Sequence, residues 1–241
     1  MAKKQKYYHF TFRKRKISVL LDKVLFFRYL QHLRGRFWGV AALTGLLIGF
    51  GICFIIRPEL RDWSTAFSDF GDDIRTAPYF AGSLFFAAYG LWRWRNYLQR
   101  TVKRARPIMG LLTITIFSLL TIAFMPQSWG IWPYRVHLFA VTTLGLSILL
   151  TVVIDGLLSK TKPGKNVSIW RVFRFISFWL IIFGAWITFV SIQAIGWYDL
   201  QGLGELLMIF GYGLWVIVKT YRGDGGRTTL SKILHGFVVV D

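Results

Sequence analysis

The sequence predicts an all-α membrane protein, a bundle of six transmembrane helices. Six apolar stretches divide the 241 residues, 54% of which are hydrophobic, and this composition lies outside the range of soluble globular proteins. The connecting segments alternate in charge: residues 1–36 hold eleven Lys and Arg against one acid, whereas residues 57–75 hold three Arg against five acids. Positive flanks stay in the cytoplasm, so the alternation predicts that both termini are cytoplasmic.

The chain is expected to divide into a basic N-terminal segment (1–36), a transmembrane domain (37–219) and a short cytoplasmic tail (220–241). Over residues 17–33 apolar side chains recur with a helical period. This pattern predicts an amphipathic helix, which lies in the membrane interface or packs on the cytoplasmic end of the bundle. Basic residues before it are expected to bind anionic lipid headgroups. These residues are Lys3, Lys4, Lys6, Arg13, Lys14, Arg15 and Lys16.

The first three predicted spans are residues 37–56, 78–92 and 108–125. The first has twenty residues without charge, enough to cross about 30 Å of hydrocarbon. The second has a short apolar core, which Arg93 can extend by reaching towards the interface. The third follows Pro107, which suits the first turn of a helix.

Residues 136–154, 175–197 and 206–218 are the other three predicted spans. The last has the shortest apolar core and needs residues 202–205 to reach full length. Small residues predict close helix packing, notably the GxxxG pair of Gly45 and Gly49 and the glycines of the last span. Such contacts are expected within the molecule rather than between two copies of it.

Ionisable residues inside the spans are functional candidates, because burying a charge is costly. Asp155 falls at the cytoplasmic end of the fourth span, where Lys160 or Arg174 can neutralise it. Glu205 falls near the outer end of the sixth. Both are expected at the interface rather than the midplane. No chain of carboxylates crosses the centre, which argues against an ion pump.

Several other classes of protein are disfavoured. The net charge of +19 is explained by topology and anionic lipid, and no recognition motif for nucleic acid accompanies it. Cys53 is the single cysteine, so no intrachain disulfide forms, and the scattered histidines lack zinc-site spacing. The first apolar run is too long for a signal peptide and reads as an uncleaved helix. No cofactor is expected.

The acidic segment 57–75 is the one unusual polar part of the chain, and its aromatic residues predict that it folds over the mouth of the bundle. The second outer loop, 129–135, emerges on the same side. We therefore expect one outer-face polar site, with Asp69 within direct or one-water reach of Arg135 or His137. The candidate residues are Ser68, Asp69, Asp72, Asp73, Arg135 and His137.

Three interpretations of this site stay open. It is a structural ion-pair network, a site for a lipid headgroup or small polar ligand, or a catalytic site. In the second, Arg135 takes a phosphate and the carboxylates take an amine. In the third, His137 or a carboxylate is the general base, with a metal on the Asp cluster as a variant. Three Asp in five residues are also ordinary for a solvated loop, and no metal is expected.

The layout resembles the Frag/DRAM/Sfk-like six-helix membrane proteins and related bacterial domains of unknown function. The resemblance rests on cytoplasmic termini, on the Ser68–Asp69–Phe70–Gly71 element before the second helix, and on His137 after the second outer loop. It covers roughly residues 37–218. It implies a polytopic membrane protein with a role in membrane-lipid handling, and no common reaction.

We therefore expect a multi-pass protein of a plasma membrane or bacterial inner membrane. Its leading function is non-enzymatic, with an outer-face polar site that engages a lipid headgroup or a partner protein. The alternatives are a lipid-modifying enzyme that uses the outer Asp/His group and, less favoured, a transporter. Expected partners are membrane lipids, with anionic headgroups at the cytoplasmic face, and a membrane-protein partner or a second copy; nucleic acid is not expected.

Overall fold

The structure is a computed structural model that describes residues 35–61, 66–101, 106–158, 167–193 and 200–222. This part of the chain is helical and contains no strand. Its long helices are α1 (Gly35–Ile56), α2 (Ala77–Thr101), α3 (Arg106–Phe124), α4 (Ile131–Leu158), α5 (Val167–Gln193) and α6 (Gln201–Arg222). Three short 3-10 helices are η1 (Pro58–Arg61), η2 (Phe67–Gly71) and η3 (Gln127–Trp129).

Five of the helices are long and apolar enough to cross a membrane, namely α1, α3, α4, α5 and α6. The molecule is therefore a polytopic membrane protein. The sixth predicted span has a short apolar core at 206–218, but α6 is long enough to cross because the helix extends well beyond that core. Helix α2 is not among the five. Its C-terminal half contains Arg93, Arg95 and Arg100, which lower its hydropathy.

The bundle has two ends, which we name by charge. The acidic end holds η1, η2, η3 and residues 72–76, and the basic end holds the start of α1 and the end of α6. The predicted amphipathic helix at 17–33, the basic residues before it and the tail after residue 222 lie outside the described residues.

Glycines bring α1 and α2 into close contact. A Cβ atom added at Gly45 would collide with the Phe86 ring, and one added at Gly49 would collide with the Ser83 side chain. On the opposite helix, Gly90 faces Ala42, where an added Cβ would lie 2.7 Å from the Ala42 Cβ. The predicted role of Gly45 and Gly49 in packing within the molecule is thus confirmed.

Helices α5 and α6 approach even more closely. An added Cβ at Gly184 would lie 2.5 Å from the carbonyl oxygen of Gly204 and 2.9 Å from the backbone nitrogen of Met208. Two turns after Gly204 on α6, Gly211 faces Ser177 of α5, whose hydroxyl donates a hydrogen bond to the Gly211 carbonyl. Backbone contact of this kind is possible only where side chains are absent, and it fixes the crossing of the two helices.

A buried ion pair lies at the basic end of the bundle. The Asp155 carboxylate of α4 accepts hydrogen bonds from Lys219 Nζ at 2.8 Å and from Trp215 Nε1 at 3.0 Å, and both charged residues are buried. The described partner of Asp155 is Lys219 of α6 and not the predicted Arg174, whereas the other predicted partner, Lys160, lies outside the described residues. The sequence did not reveal this pair because its members are 64 residues apart.

Candidate functional site

The acidic segment forms a packed cap on the bundle. Phe67 and Phe70 are buried, and the Phe70 ring meets Phe54 of α1 edge to face with centroids 4.9 Å apart. The Thr76 hydroxyl donates to the Phe70 carbonyl at 2.7 Å, which fixes the turn into α2. The predicted folding of this segment over the mouth of the bundle is confirmed for these residues.

The two loops of the acidic end meet directly. Asp72 Oδ1 accepts hydrogen bonds from the backbone nitrogen of Ser128 at 3.1 Å and from its hydroxyl at 2.9 Å. Beside this contact, Gln127 Nε2 donates to the Ser68 hydroxyl oxygen. Two of the predicted site residues, Ser68 and Asp72, therefore bind η3. Sequence reasoning missed Gln127 and Ser128, because uncharged side chains in a short loop give no recognisable signal.

His137 of α4 lies next to Gln127, at the contact between the two loops. It is buried, and its Nδ1 lies 2.7 Å from the Met125 carbonyl oxygen. Since a carbonyl oxygen only accepts, Nδ1 donates its proton to it. The other ring nitrogen, Nε2, is 3.5 Å from Gln127 Nε2. Ser68, Gln127 and His137 thus form a polar row in which the amide separates the hydroxyl from the imidazole.

Asp73 belongs to a separate ion-pair network. It pairs with Arg57 and with Arg75, whose Nη2 lies 3.0 Å from Asp73 Oδ2, and Glu59 joins the group through Arg57. Hydrogen bonds from the Arg75 side chain and backbone, with the charges of Arg75 and Arg57, hold the pKa of Asp73 well below its usual range. These groups connect the end of α1 to the start of α2, which is a structural role.

Two further predicted site residues make other described contacts. The guanidinium of Arg135 stacks over the Trp132 ring, 5.6 Å from its centroid, on the exposed side of α4. The carboxylate of Asp69 lies within electrostatic range of Glu205. A contact of Asp69 with Arg135 or His137 stays a prediction.

A groove of about 210 Å³ opens beside the polar row. Ser68 and His137 supply its polar wall, and the outer turns of α2 and α3 supply the apolar walls. Phe124 and Trp129 flank it and are 59% and 70% exposed, so the groove faces the surroundings of the bundle at this level. Its lining residues from the two helices include Ala77, Phe80, Ala81, Ile122, Ala123 and Phe124.

The described residues contain no group of three or more His, Cys, Asp or Glu side chains placed to hold a metal ion. The polar row offers hydrogen-bond donors and acceptors instead. Its chemistry suits a ligand that carries both oxygen acceptors and an apolar part.

Comparison with known proteins gives no relative: no family model, curated protein or solved structure matches this chain.

Proposed function

We propose that this membrane protein binds the headgroup of a membrane lipid in the groove at the acidic end, without catalysing a reaction. The observation that carries the proposal is the composition of the groove. One wall is the polar row at Ser68 and His137, and the other walls are small or aromatic apolar residues of α2 and α3. A headgroup with its first chain atoms has the same division between polar and apolar surface.

The polar groups favour a zwitterionic headgroup. Because the Ser68 oxygen accepts from Gln127, its own proton is available to a phosphate or ester oxygen. Asp72 is not a lining residue, but it directly follows Gly71, which lines the groove. The described hydrogen bonds of its carboxylate fall on Oδ1, and we assign Oδ2 to an ammonium group. A lipid with a phosphate and an amine matches the Ser68 hydroxyl and the Asp72 carboxylate better than a purely anionic lipid does.

The geometry favours binding over catalysis. A general base needs a ring nitrogen directed at the group from which it takes a proton. Both nitrogens of His137 face protein atoms, Met125 on one side and Gln127 on the other. The hydroxyl of Ser68 contacts the amide of Gln127 rather than the imidazole, so the described hydrogen bonds pair it with an amide and not with a base. A role in lipid handling also agrees with the resemblance drawn from the sequence.

The same proposal includes six spans, with the acidic end outside and both termini cytoplasmic. Helix α2 lies beside α1 along its whole length: Tyr97 packs on Gly35 at the basic end, and the Thr76 carbonyl accepts from Cys53 at the acidic end. At 1.5 Å per residue, its 25 residues extend about 37 Å. Packing against its neighbours supports α2 as a span although its hydropathy is low.

The topology is tested by reporter fusions. We expect a fusion after Asp73 to report the outside, and fusions after Lys165 and Lys232 to report the cytoplasm, because the basic segments are retained there. Reporter activity and protease protection in intact cells give independent measurements. An outside signal at Lys165 contradicts the topology, whatever the result at the other two positions.

Lipid binding is tested by filling the groove. Ala81 lines it, so Ala81→Trp should displace the headgroup and lower the amount of co-purifying lipid several-fold. The matched control is Gly82→Trp on the same helix, because a Cβ added at Gly82 meets nothing within 4 Å. Lipid retained after detergent exchange is quantified by mass spectrometry. If both variants retain as much zwitterionic lipid as the parent protein, the groove is not the binding site.

A further inference from the structure

A second cavity, of about 150 Å³, lies inside the bundle. Apolar side chains from α1, α2, α3, α4, α6 and η2 form most of its wall, including three phenylalanines. Its lining residues include Phe50, Phe67, Phe80, Leu84, Val141 and Met208. Cavities of about this size accommodate a benzene-sized ring. Its apolar surface and size therefore suit a single aromatic ring.

Four polar side chains line this apolar cavity without forming part of the lipid site. Thr115 bonds to Ser147, and the other three are Thr188, Glu205 and Tyr212. Glu205 and Tyr212 lie on one face of α6, seven residues or two turns apart, and Thr188 of α5 contacts α6 at Gly204, next to Glu205. Two turns of helix separate groups by about 10 Å along the axis. The cavity thus has a polar end at Glu205 and Thr188 and a second polar point at Tyr212.

The polar end lacks a positive charge. Glu205 accepts hydrogen bonds from the backbone nitrogen of Phe67 at 2.8 Å and from Gln201 Nε2 at 3.4 Å, and both donors are neutral. In the described part of the chain no Lys or Arg pairs with it. Asp69 is near enough to add negative potential. A carboxylate in such surroundings is best satisfied by a cation.

The second polar point lacks a hydrogen-bond partner. Tyr212 is 4% exposed, and neither its hydroxyl nor that of Thr188 has a partner among the described residues. A buried hydroxyl without a hydrogen-bond partner costs free energy. A bound molecule that brings a hydroxyl to this depth would remove that cost at Tyr212, while an ammonium group could donate to Thr188 as well as Glu205.

We propose that the interior cavity binds an aromatic amine of the tyramine class, with an ammonium group at one end of a single ring and a hydroxyl group at the other. The ammonium pairs with Glu205, the ring fills the apolar middle, and the ligand hydroxyl bonds to Tyr212. The acidic segment at this end, with five acids against three Arg in residues 57–75, attracts cations towards the cavity.

Three matched probes separate the parts of this proposal: tyramine, phenethylamine, which lacks the hydroxyl, and 4-ethylphenol, which lacks the amine. Binding to the full-length protein in detergent is measured by calorimetry and by thermal stabilisation. Tyramine should bind most tightly. Loss of the amine should weaken binding about ten- to a hundredfold, because a hydrogen bond to a charged group contributes about 1.5–3 kcal/mol. Loss of the hydroxyl should weaken it about fivefold, for about 1 kcal/mol.

Two substitutions identify the groups involved. Glu205→Gln should abolish the preference for tyramine over 4-ethylphenol while its amide oxygen still accepts from Phe67. Tyr212→Phe should abolish the preference for tyramine over phenethylamine. The control Glu59→Gln removes one exposed acid of the same end and should change neither preference. Val141→Phe fills the cavity, keeps every charge and should abolish binding of all three probes.

The proposal is overturned if the parent protein binds none of the probes, or if 4-ethylphenol binds as tightly as tyramine, which would make Glu205 a neutral acid. It is also overturned if either preference survives in its substituted variant. Should Glu205→Gln fail to fold, as judged by gel filtration and circular dichroism, Val141→Phe and Tyr212→Phe still decide the outcome. The cavity and the groove share Ser68, Phe80 and Ile122. None of the substituted residues lines the groove, so these results can be told apart from a failure of lipid binding.

Discussion

Lys219→Met is expected to lower the free energy of unfolding by about 3–5 kcal/mol, because it strands the buried carboxylate of Asp155. Lys219 and Asp155 are 7% and 5% exposed at their side chains, so water cannot replace the lost ammonium group. The hydrogen bond from Trp215 Nε1 would remain, but a neutral donor does not balance the charge. Thermal unfolding in detergent, followed by circular dichroism, measures the effect.

A double variant separates the charge effect from the packing effect. Asp155→Leu combined with Lys219→Met removes both charges and should recover most of the lost stability, so the two changes are strongly non-additive. Arg75→Gln is the exposed control, for which a change of about 0–1 kcal/mol is expected. Equal destabilisation by Arg75→Gln and Lys219→Met would show that burial does not strengthen the pair.

Gly184→Leu is expected to separate α5 from α6 and to lower the free energy of unfolding by about 3 kcal/mol, the upper part of the usual range for overpacking. The reason is that its Cβ would meet backbone atoms of Gly204 and Met208, which cannot move aside as a flexible side chain can. The measurement is the yield of monodisperse protein and its melting temperature in detergent.

Gly156→Leu is the matched control for this change, since Gly156 lies in α4 and an added Cβ there meets nothing within 4 Å. Both substitutions replace a helical glycine by the same residue, so differences in helix propensity cancel. A stable Gly184→Leu protein with the melting temperature of Gly156→Leu would rule out the close crossing of α5 and α6.

Apolar runs made the helices predictable, but not their ends. The predicted span 136–154 lies within α4 (Ile131–Leu158), and the predicted span 175–197 overlaps α5 (Val167–Gln193). Hydropathy reports the part of a helix that suits hydrocarbon, whereas backbone hydrogen bonding continues into the flanking polar residues. For the same reason α2 extends to Thr101, well past its apolar core.

The candidate site was predictable only at the level of loops. Charge and aromatic content indicated that the acidic segment covers the bundle, and Ser68 and Asp72 do bind the second loop. Their partners Gln127 and Ser128 were not predictable, because their positions depend on how α3 and α4 are placed around the core. Pairs such as Asp155 with Lys219 depend in the same way on the relative register of two helices distant in sequence.

The start of α1 and the end of α6 meet at the basic end of the bundle, and this has a consequence for biosynthesis. The guanidinium of Arg36, at the start of α1, donates to the Thr220 and Tyr221 carbonyls at the end of α6, and Gly39 packs on Val216. Among the described helices, α1 is thus completed by α6. Until α6 has been inserted, α1 exposes the surface that receives it. A chain truncated before α6 should therefore be an efficient substrate for membrane quality control.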